Sequence, residues 1–487
     1  MRGQSTRRAD SRGVSGLLDA RALTAPLAPL TAPAWVVGGG LRDALLGRPV
    51  ADLDVITAGD PEAEARVLSR AHGASRFRLS RDFGAWRLTG GALPCQVDIM
   101  PVLGDGLDDD LSRRDFTINA LALPVQGGGP VIDRHGGLAD LGARRLALVS
   151  PAALTDDPVR VLRLARIADA LGFAVDPAAA SAARAAAAGI SGAPGERVME
   201  EFTRIITAPD PGRAVRALDA VGGLSGLMPA LGDARGVDQS EYHHLDVLGH
   251  TLEVLDTVVA LGRDPEEVFR GHADLVAESL ARPLADQLTT GQALRITALL
   301  HDMAKPGTRA VTDTGRVTFI HHDQRGADLA DGWCRAMRTS NRLREFVVGG
   351  VRHHLVLGFM VHRQPLTLVQ YDRYLRRVAP DPVEAIVLSV ADRMATRGPR
   401  TTPIQITRHL ALARDMLGAH ARITAMEPIR PPADGAALAV MLDRPPGPWI
   451  TALLVALREE QLMGRVCDES TAAAFARAWV ARPPVAG

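Results

Sequence analysis

The sequence is first narrowed by what it lacks. Its three cysteines, Cys95, Cys334 and Cys467, stand far apart, too few and too scattered for a disulfide framework or a zinc knuckle. A reduced compartment fits. No run approaches the ~18 uninterrupted apolar residues of a membrane span, and the Arg-rich start MRGQSTRRADSRG leads into no apolar signal core. A cytoplasmic protein with no membrane partner is expected. Net charge is missing as well, because 56 Lys+Arg balance 56 Asp+Glu. Any nucleic acid would therefore be held by local basic patches and not by a global field. Lysine itself is almost absent: Lys305 is the only one, and arginine fills every other basic position.

What is present suggests several domains, since 487 residues at 46% hydrophobic content exceed one compact core. Residues 1–30 read as a flexible N-terminal arm. Over 31–150, short β-rich runs (AWVV, DLDVI, CQVDIM, RLALVS) alternate with helical patterns and Gly-rich turns, which predicts an α/β domain. From 156 onward the strands disappear, and helical patterns continue to the C-terminus. The Ala-rich tract at 178–188 is a good helix former with no assigned function. Ten of the fourteen histidines fall between 243 and 362, which sets a helical metal-site candidate over 236–400 apart from a helical neck and body at 151–235 and a tail at 401–487.

The densest chemistry lies in WVVGGGLRDALLGRPVADLDVITAG, residues 35–59. The period-2 geometry of a strand puts Asp52 and Asp54 on one face, with Leu53 and Val55 on the other. Carboxylates so close stay ionised together only around a cation. Mg²⁺ suits them, because it takes one or two carboxylates plus phosphate oxygens. Gly38 and Gly39 let backbone N–H groups approach an anion at a helix start, and Arg42 is placed to meet phosphate. Asp98, in CQVDIM, offers a third carboxylate.

In order along the chain, VGGGLRD, LLGRPVADLDVIT, DLSRRDFTINALAL, DDPVRVLRLARIADALGF and GERVMEEFTRII resemble the motif series of class II tRNA nucleotidyltransferases, the family of CCA-adding enzymes and bacterial poly(A) polymerases. The resemblance covers roughly 35–235. It implies a polymerase-β-like nucleotidyltransferase head followed by all-α neck, body and tail domains that hold the acceptor end of tRNA, with CTP and ATP as the other substrates.

Two-metal transfer needs convergent carboxylates and no protein nucleophile, a role that falls to Asp52 and Asp54 with Asp98 assisting. In RRDFTINA, Asp115 can accept a bond from a ribose hydroxyl and Arg114 can meet a phosphate; the resemblance adds Asn119 to this nucleotide-binding motif. Asp157 and Arg160 are three apart at a helix start and should project to one side. A carboxylate beside a guanidinium accepts cytosine and adenine and opposes guanine and uracil, and buried mismatches of that kind can be worth about 10⁴ in selection. The resemblance assigns base reading to such a pair, although Asp156 stands where Glu is usual. Arg163 and Arg166 continue the stripe, facing either RNA phosphate or solvent.

A second block, LGHTLEVL, ALLHDMAKP, FIHHDQRGADLA, VRHHLVLG and SVADRMA, resembles HD-family phosphohydrolases. It supplies His250, His301, Asp302, His322, His354 and Asp392 for a divalent ion of unassigned identity, with His321 and His353 left as alternatives within the two doublets. An HD fold retained only as a scaffold is the competing reading. Three functions follow from the whole: a template-independent nucleotidyltransferase adding C and/or A to tRNA 3′ ends, with poly(A) or A-only addition as variants; an HD hydrolase with an inactive head; and an RNA-binding scaffold with neither activity. The twelve residues PVLGDGLDDDLS between Met100 and Arg113 are few for the mobile segment that helps CCA-adding relatives switch from C to A, and this shortness favours CC addition.

Overall fold

The computed structural model describes residues 20–79, 84–425 and 434–481. Most of the arm expected over 1–30 lies outside them, but its end is not an arm. Residues Ala20–Thr24 and Ala25–Leu27 are helical, and Leu27 and Leu30 are buried. The backbone and hydroxyl of Thr31 then bond the buried Glu64. Two apolar anchors and a carboxylate clamp overcome the polar character of the preceding residues.

The chain divides into two compact units, one ending at Pro229 and the other beginning at Ala230. The first is built on a seven-stranded sheet with strands β1 (Ala34–Val37), β2 (Asp52–Thr57), β3 (Ser75–Arg78), β4 (Trp86–Thr89), β5 (Gln96–Pro101), β6 (Leu121–Pro124) and β7 (Ile132–Asp133), in the order β3-β4-β5-β2-β1-β6-β7. The β2–β5 ladder is parallel, and the others are antiparallel. Alternation works as read: Leu53 and Val55 are buried while Asp52 is exposed. Helix α1 (Gly38–Leu45) starts at the end of β1, and α2 (Pro61–His72) is capped by the Asp60 carboxylate. Helix α3 (Leu107–Ser112) follows β5.

RLALVS does not join this sheet. Arg145–Leu146 pairs in a separate two-stranded ladder with Ala174–Val175, and Leu148 makes an isolated bridge with Phe116. Helices α4 (Arg160–Leu171) and α5 (Gly195–Ile206) continue the unit, with one face of each buried (Val161, Leu164 and Ala165; Val198, Phe202 and Ile205).

The second unit is mainly helical. Its centre holds α6 (Val247–Arg263), α7 (Thr290–Leu300), α8 (His322–Ala336), α9 (Asn341–His353) and α10 (Pro382–Ala395). Helix α6 packs on α7 and α10, and α9 on α7 and α8. Strands nevertheless recur after 156, against expectation. Pro283–Ala285 pairs with Leu288–Thr289, and Arg309–Val311 with Val317–Phe319. Each is a hairpin whose turn uses positive φ, at Asp286 and Gln287 in one and Gly315 in the other, and such short turns escape helical periodicity. Toward the C-terminus, Gly435–Met441, Trp449–Leu462 and Glu469–Val480 pack around Leu438, Leu453 and Leu457. Among the described residues, no helix is long and apolar enough to cross a membrane.

Candidate active sites

In the head, strand pairing brings the carboxylates together. Asp54 and Asp98 are direct partners across the parallel β2–β5 ladder, and Val37, the residue before the glycines, pairs with Asp54. Gly38 adopts φ +73°, and a Cβ there would lie 2.7 Å from Asp54 Oδ2. Only glycine lets the chain pass this close to the carboxylate. Burial first, and then the neighbouring Asp52, push the Asp54 carboxyl up to about 6. Asp98 is buried and held by Arg87 at 2.8 and 2.7 Å, so its charge is already balanced. That of the Asp52/Asp54 pair is not, and the residues present therefore fit a divalent cation.

Beside this pair opens a cavity of about 330 Å³. Gly38, Gly39 and Asp54 line it together with Arg114, Asp115 and Asn119, and Arg160 and Arg163 complete the set, whereas Asp52, Asp98, Arg42, Asp157 and Arg166 are not among its lining residues. Arg42 instead pairs with Asp43 and donates to Asn119 Oδ1 at 2.9 Å, and Asn119 Nδ2 donates to Asp115 Oδ1 at 3.0 Å. Arg42 thus spends its guanidinium on Asp43 and, through Asn119, orients the buried Asp115 carboxylate. The other oxygen of Asp115 meets Arg163 at 3.1 Å.

The backbone at Asp157, one of the two residues expected to read the base, differs from expectation. Asp157 does not begin a helix; it sits in an extended conformation between a short turn of helix and α4. Its Oδ2 is 2.6 Å from Arg197 and 3.7 Å from Arg160. Arg160 donates to the carbonyls of Ala153 and Arg113. Arg163 and Arg166, both partly exposed, bond the buried Glu201, as does Arg204. Burial would raise the Glu201 carboxyl, yet Arg166 and Arg163 hold it below its ordinary value. Arg87, Arg197 and Glu201 received no role from the sequence. GERVMEEFTRII contains two of them, but only the fold reveals their partners.

In the second unit the histidine cluster converges. His250, His301, Asp302, His322 and His354 are all buried. The Nδ1 atoms of His301, His322 and His354 lie 2.7, 2.7 and 2.6 Å from the carbonyls of Ala298, Phe319 and Val351. A carbonyl only accepts, so each Nδ1 carries the proton and each Nε2 turns a lone pair inward. The Nε2 atoms of His322 and His354 face one another at 3.3 Å, lying 3.3 and 3.8 Å from Asp302 Oδ1. His301 Nε2, 3.1 Å from Asp302 Oδ2, makes no hydrogen bond. Inward lone pairs around a carboxylate could hold a metal ion. His250 contacts Asp392 at 3.0 Å. The doublets resolve by burial: His321 is exposed at the start of α8, and His353 lines a different, smaller cavity. Lys305 is buried 2.6 Å from Asp302 and 2.7 Å from Gln239. His301 and His354 exemplify two fates of a buried imidazole: the neighbouring Asp302 carboxylate raises the affinity of His301 for a second proton despite its burial, while burial pushes His354 down to about 4. A cavity of about 810 Å³ adjoins the cluster, lined by Asp302, Lys305, His322, His354 and Asp392, with Arg316 and Arg408 among its basic groups.

A mixed sheet with paired carboxylates over a glycine-cradled cavity, in a chain that also carries a helical histidine–aspartate unit, defines a nucleotidyltransferase head joined to an HD domain. Comparison with known proteins agrees. Residues 34–92 and 94–147 match the poly(A) polymerase head domain, 172–234 the domain described as "Probable RNA and SrmB- binding site of polymerase A", and 247–397 the HD domain. An A-adding tRNA nucleotidyltransferase of Deinococcus radiodurans is 33% identical over 94% of this chain and 98% of its own length. A CC-adding tRNA nucleotidyltransferase of Thermus thermophilus is also 33% identical, over 92% and 93%. The chain belongs to the tRNA nucleotidyltransferase family. Solved structures share its fold, among them a CCA-adding enzyme with ATP (TM-score 0.61, 19% identity, covering 96% of this chain and 99% of that one) and a Thermotoga maritima CCA-adding enzyme complexed with tRNA (TM-score 0.56, 19% identity, 96% and 99%).

Proposed function

We propose that this chain is a cytoplasmic CTP/ATP:tRNA nucleotidyltransferase that extends tRNA 3′ ends, and that the head cavity is its nucleotide site. The observation that carries the reading is the Asp54 carboxylate, forced beside Gly38 and left electrostatically unbalanced at the mouth of a cavity whose other walls are Arg114, Asp115 and Arg160. Asp52 and Asp54 would hold Mg²⁺, which when bound activates the RNA 3′ hydroxyl and offsets charge on the leaving pyrophosphate. Arg114 is positioned for phosphate, Asp115 for a ribose hydroxyl, and Arg160 for the base edge. We further infer that addition stops at CC. The connection from β5 to α3 leaves only residues 102–106 outside regular structure, and these are tied down. The amide of Val102 donates to Thr57, that of Leu103 to the buried Asp110 carboxylate, and that of Asp105 to Asp109. A segment so short and so bonded is a poor lever. Incubating tRNA that ends at the discriminator base with CTP and ATP together tests it. Products ending in CC support the reading; completion to CCA refutes the CC restriction, and no incorporation refutes the head assignment.

A second activity is favoured by the three inward-facing Nε2 atoms around Asp302. The residues present fit a divalent metal, held by His250, His301, Asp302, His322, His354 and Asp392, which when bound would supply an activated water against a phosphate ester. Metal-dependent hydrolysis of a 2′,3′-cyclic phosphate to the phosphomonoester, lost in His322→Ala while nucleotide addition persists, is the expected result. Retained hydrolysis in that variant would refute the site.

A further inference from the structure

Three guanidinium groups around the larger cavity of the second unit have no carboxylate to hold. Arg316 in the hairpin before Val317–Phe319, Arg393 on α10 and Arg408 on the helix Pro403–Ala425 all line it, and none forms an ion pair with a described residue. In the same unit Arg282, Arg342, Arg373 and Arg458 each meet a carboxylate. Arg393 donates to Gln405 Oε1 at 3.4 Å, and its buried Nε has no hydrogen-bond partner. A buried donor left unpaired is costly, and an anion entering the cavity would satisfy it. Of the acidic lining residues, Asp302 and Asp392 are engaged by Lys305 and His250, which leaves Asp323 alone against three guanidinium groups. The same cavity is lined by Ile320 and Phe359, apolar side chains left 67% and 66% exposed. Unpaired arginines interleaved with exposed apolar and aromatic side chains suit the backbone and bases of a single strand of nucleic acid.

We propose that Arg316, Arg393 and Arg408 form a subsite for a second phosphate, beyond the one hydrolysed at the histidine–aspartate cluster, with Phe359 and Ile320 as a platform for a base, so that this cavity takes the 3′ end of an RNA strand in preference to a lone cyclic nucleotide. The inference rests on the reading of that cluster as a phosphohydrolase. Ligand cavities commonly span about 300–1,000 Å³, and about 810 Å³ leaves room beyond a single phosphate group. Hydrolysis itself adds water across the cyclic ester: a P–O bond forms to the water oxygen, one ribose P–O bond breaks, and the freed ribose oxygen takes a proton. The arginines hold the diester phosphate on the 5′ side and take no part in that exchange. A nucleotide with a 5′ phosphate carries the same second phosphate, whereas only RNA continues past it to further bases.

The test measures kcat and KM of the full chain on adenosine 2′,3′-cyclic phosphate, on the same nucleotide carrying a 5′ phosphate, and on a trinucleotide RNA ending in a 2′,3′-cyclic phosphate. The trinucleotide should exceed the first substrate in kcat/KM by at least about tenfold, through KM. Arg408→Gln should cancel most of that advantage, Phe359→Ala should reduce it, and Arg408→Lys, which keeps the charge, should retain most of it. Binding gives a second readout that needs no metal: in metal-free buffer Arg408→Gln should bind a fluorescent trinucleotide ending in a 3′ phosphate about tenfold more weakly, with a salt dependence shallower by about 0.7 in log–log slope. Equal kcat/KM for all three substrates, an unmoved advantage in both Arg408→Gln and Phe359→Ala, or a parallel loss on every substrate through kcat overturns the subsite. A full advantage already reached by the 5′-phosphorylated nucleotide overturns RNA as the occupant. Failure of the parent enzyme to hydrolyse any of the three overturns the phosphohydrolase reading instead, so the failures are distinguishable.

Discussion

Replacing Asp54 with Asn should make the metal-free protein more stable while abolishing nucleotide addition. The carboxyl rises from an ordinary 3.8 to about 6, through burial first and Asp52 second. A group whose folded value lies above its unfolded value stabilises the fold fully at pH below about 4, where it is protonated in both states' reference. That contribution is lost as pH rises through about 6. At pH 7.5 the ionised Asp54 therefore costs the fold up to about 3 kcal/mol, at 1.36 kcal/mol for each tenfold step in proton affinity. Asn keeps the shape and removes the charge. Even a third of that gain would raise Tm by about 2–4 °C for a unit of this size. The assay is a thermal melt of both proteins at pH 7.5 and pH 5, with and without Mg²⁺. The parent should gain stability from Mg²⁺ at pH 7.5 and much less at pH 5, where protonation competes for the ligand. Asp54→Asn should gain little at either pH and should melt above the metal-free parent only at the higher one. A variant less stable than the parent in metal-free buffer at pH 7.5 would refute the claim that Asp54 is an unbalanced charge.

The other predictions address separate contacts. Arg160→Ala removes the donors that line the cavity and should reduce the CTP-over-UTP preference in kcat/KM by at least about tenfold; unchanged selectivity would place base reading elsewhere. Glu201→Gln takes the charge from a buried carboxylate that holds Arg163, Arg166 and Arg204. Because those arginines are partly exposed, a loss of about 2 kcal/mol is expected in urea melts, and a change within ±0.5 kcal/mol would show the network to be dispensable. Lys305→Arg should slow cyclic-phosphate hydrolysis with nucleotide addition unaffected, since the buried ammonium sits as a compact charge between Asp302, Gln239 and the Phe319 ring, contacts that a planar fork would not reproduce. Equal hydrolysis rates would make the lone lysine incidental.

Local pattern carried much of the head. Alternation in DLDVI placed Asp52 and Asp54 on one face, and the triple glycine announced the close approach that the Gly38 geometry displays. What strand alternation cannot convey is who stands across the ladder. Arg87 answers Asp98 only because β4 and β5 pair in that register, and nothing in the sequence near either residue says so. Helical spacing reached the right neighbours at Asp157 and Arg160 by the wrong route, since Asp157 is extended and not helical, yet its Oδ2 still lies 3.7 Å from Arg160. The stripe of Arg163 and Arg166 looked open until Glu201 arrived from another helix. Among the histidines, residue type and order pointed to the cluster. The choice within each doublet needed the burial and the carbonyl contacts of the neighbouring turn.

The Glu201 hub also bears on the order in which the molecule is made. Arg163 reaches Glu201 with one nitrogen and Asp115 with another, so the Asp115 wall of the cavity is braced by a helix that follows all seven strands in the chain. A ribosome emits about 5–20 residues per second, and domains fold as they emerge. The sheet is therefore outside several seconds before its brace. During that interval the nascent head has its carboxylates and glycines without a fixed Arg163, and its cavity becomes rigid only when α5 has left the tunnel and docked.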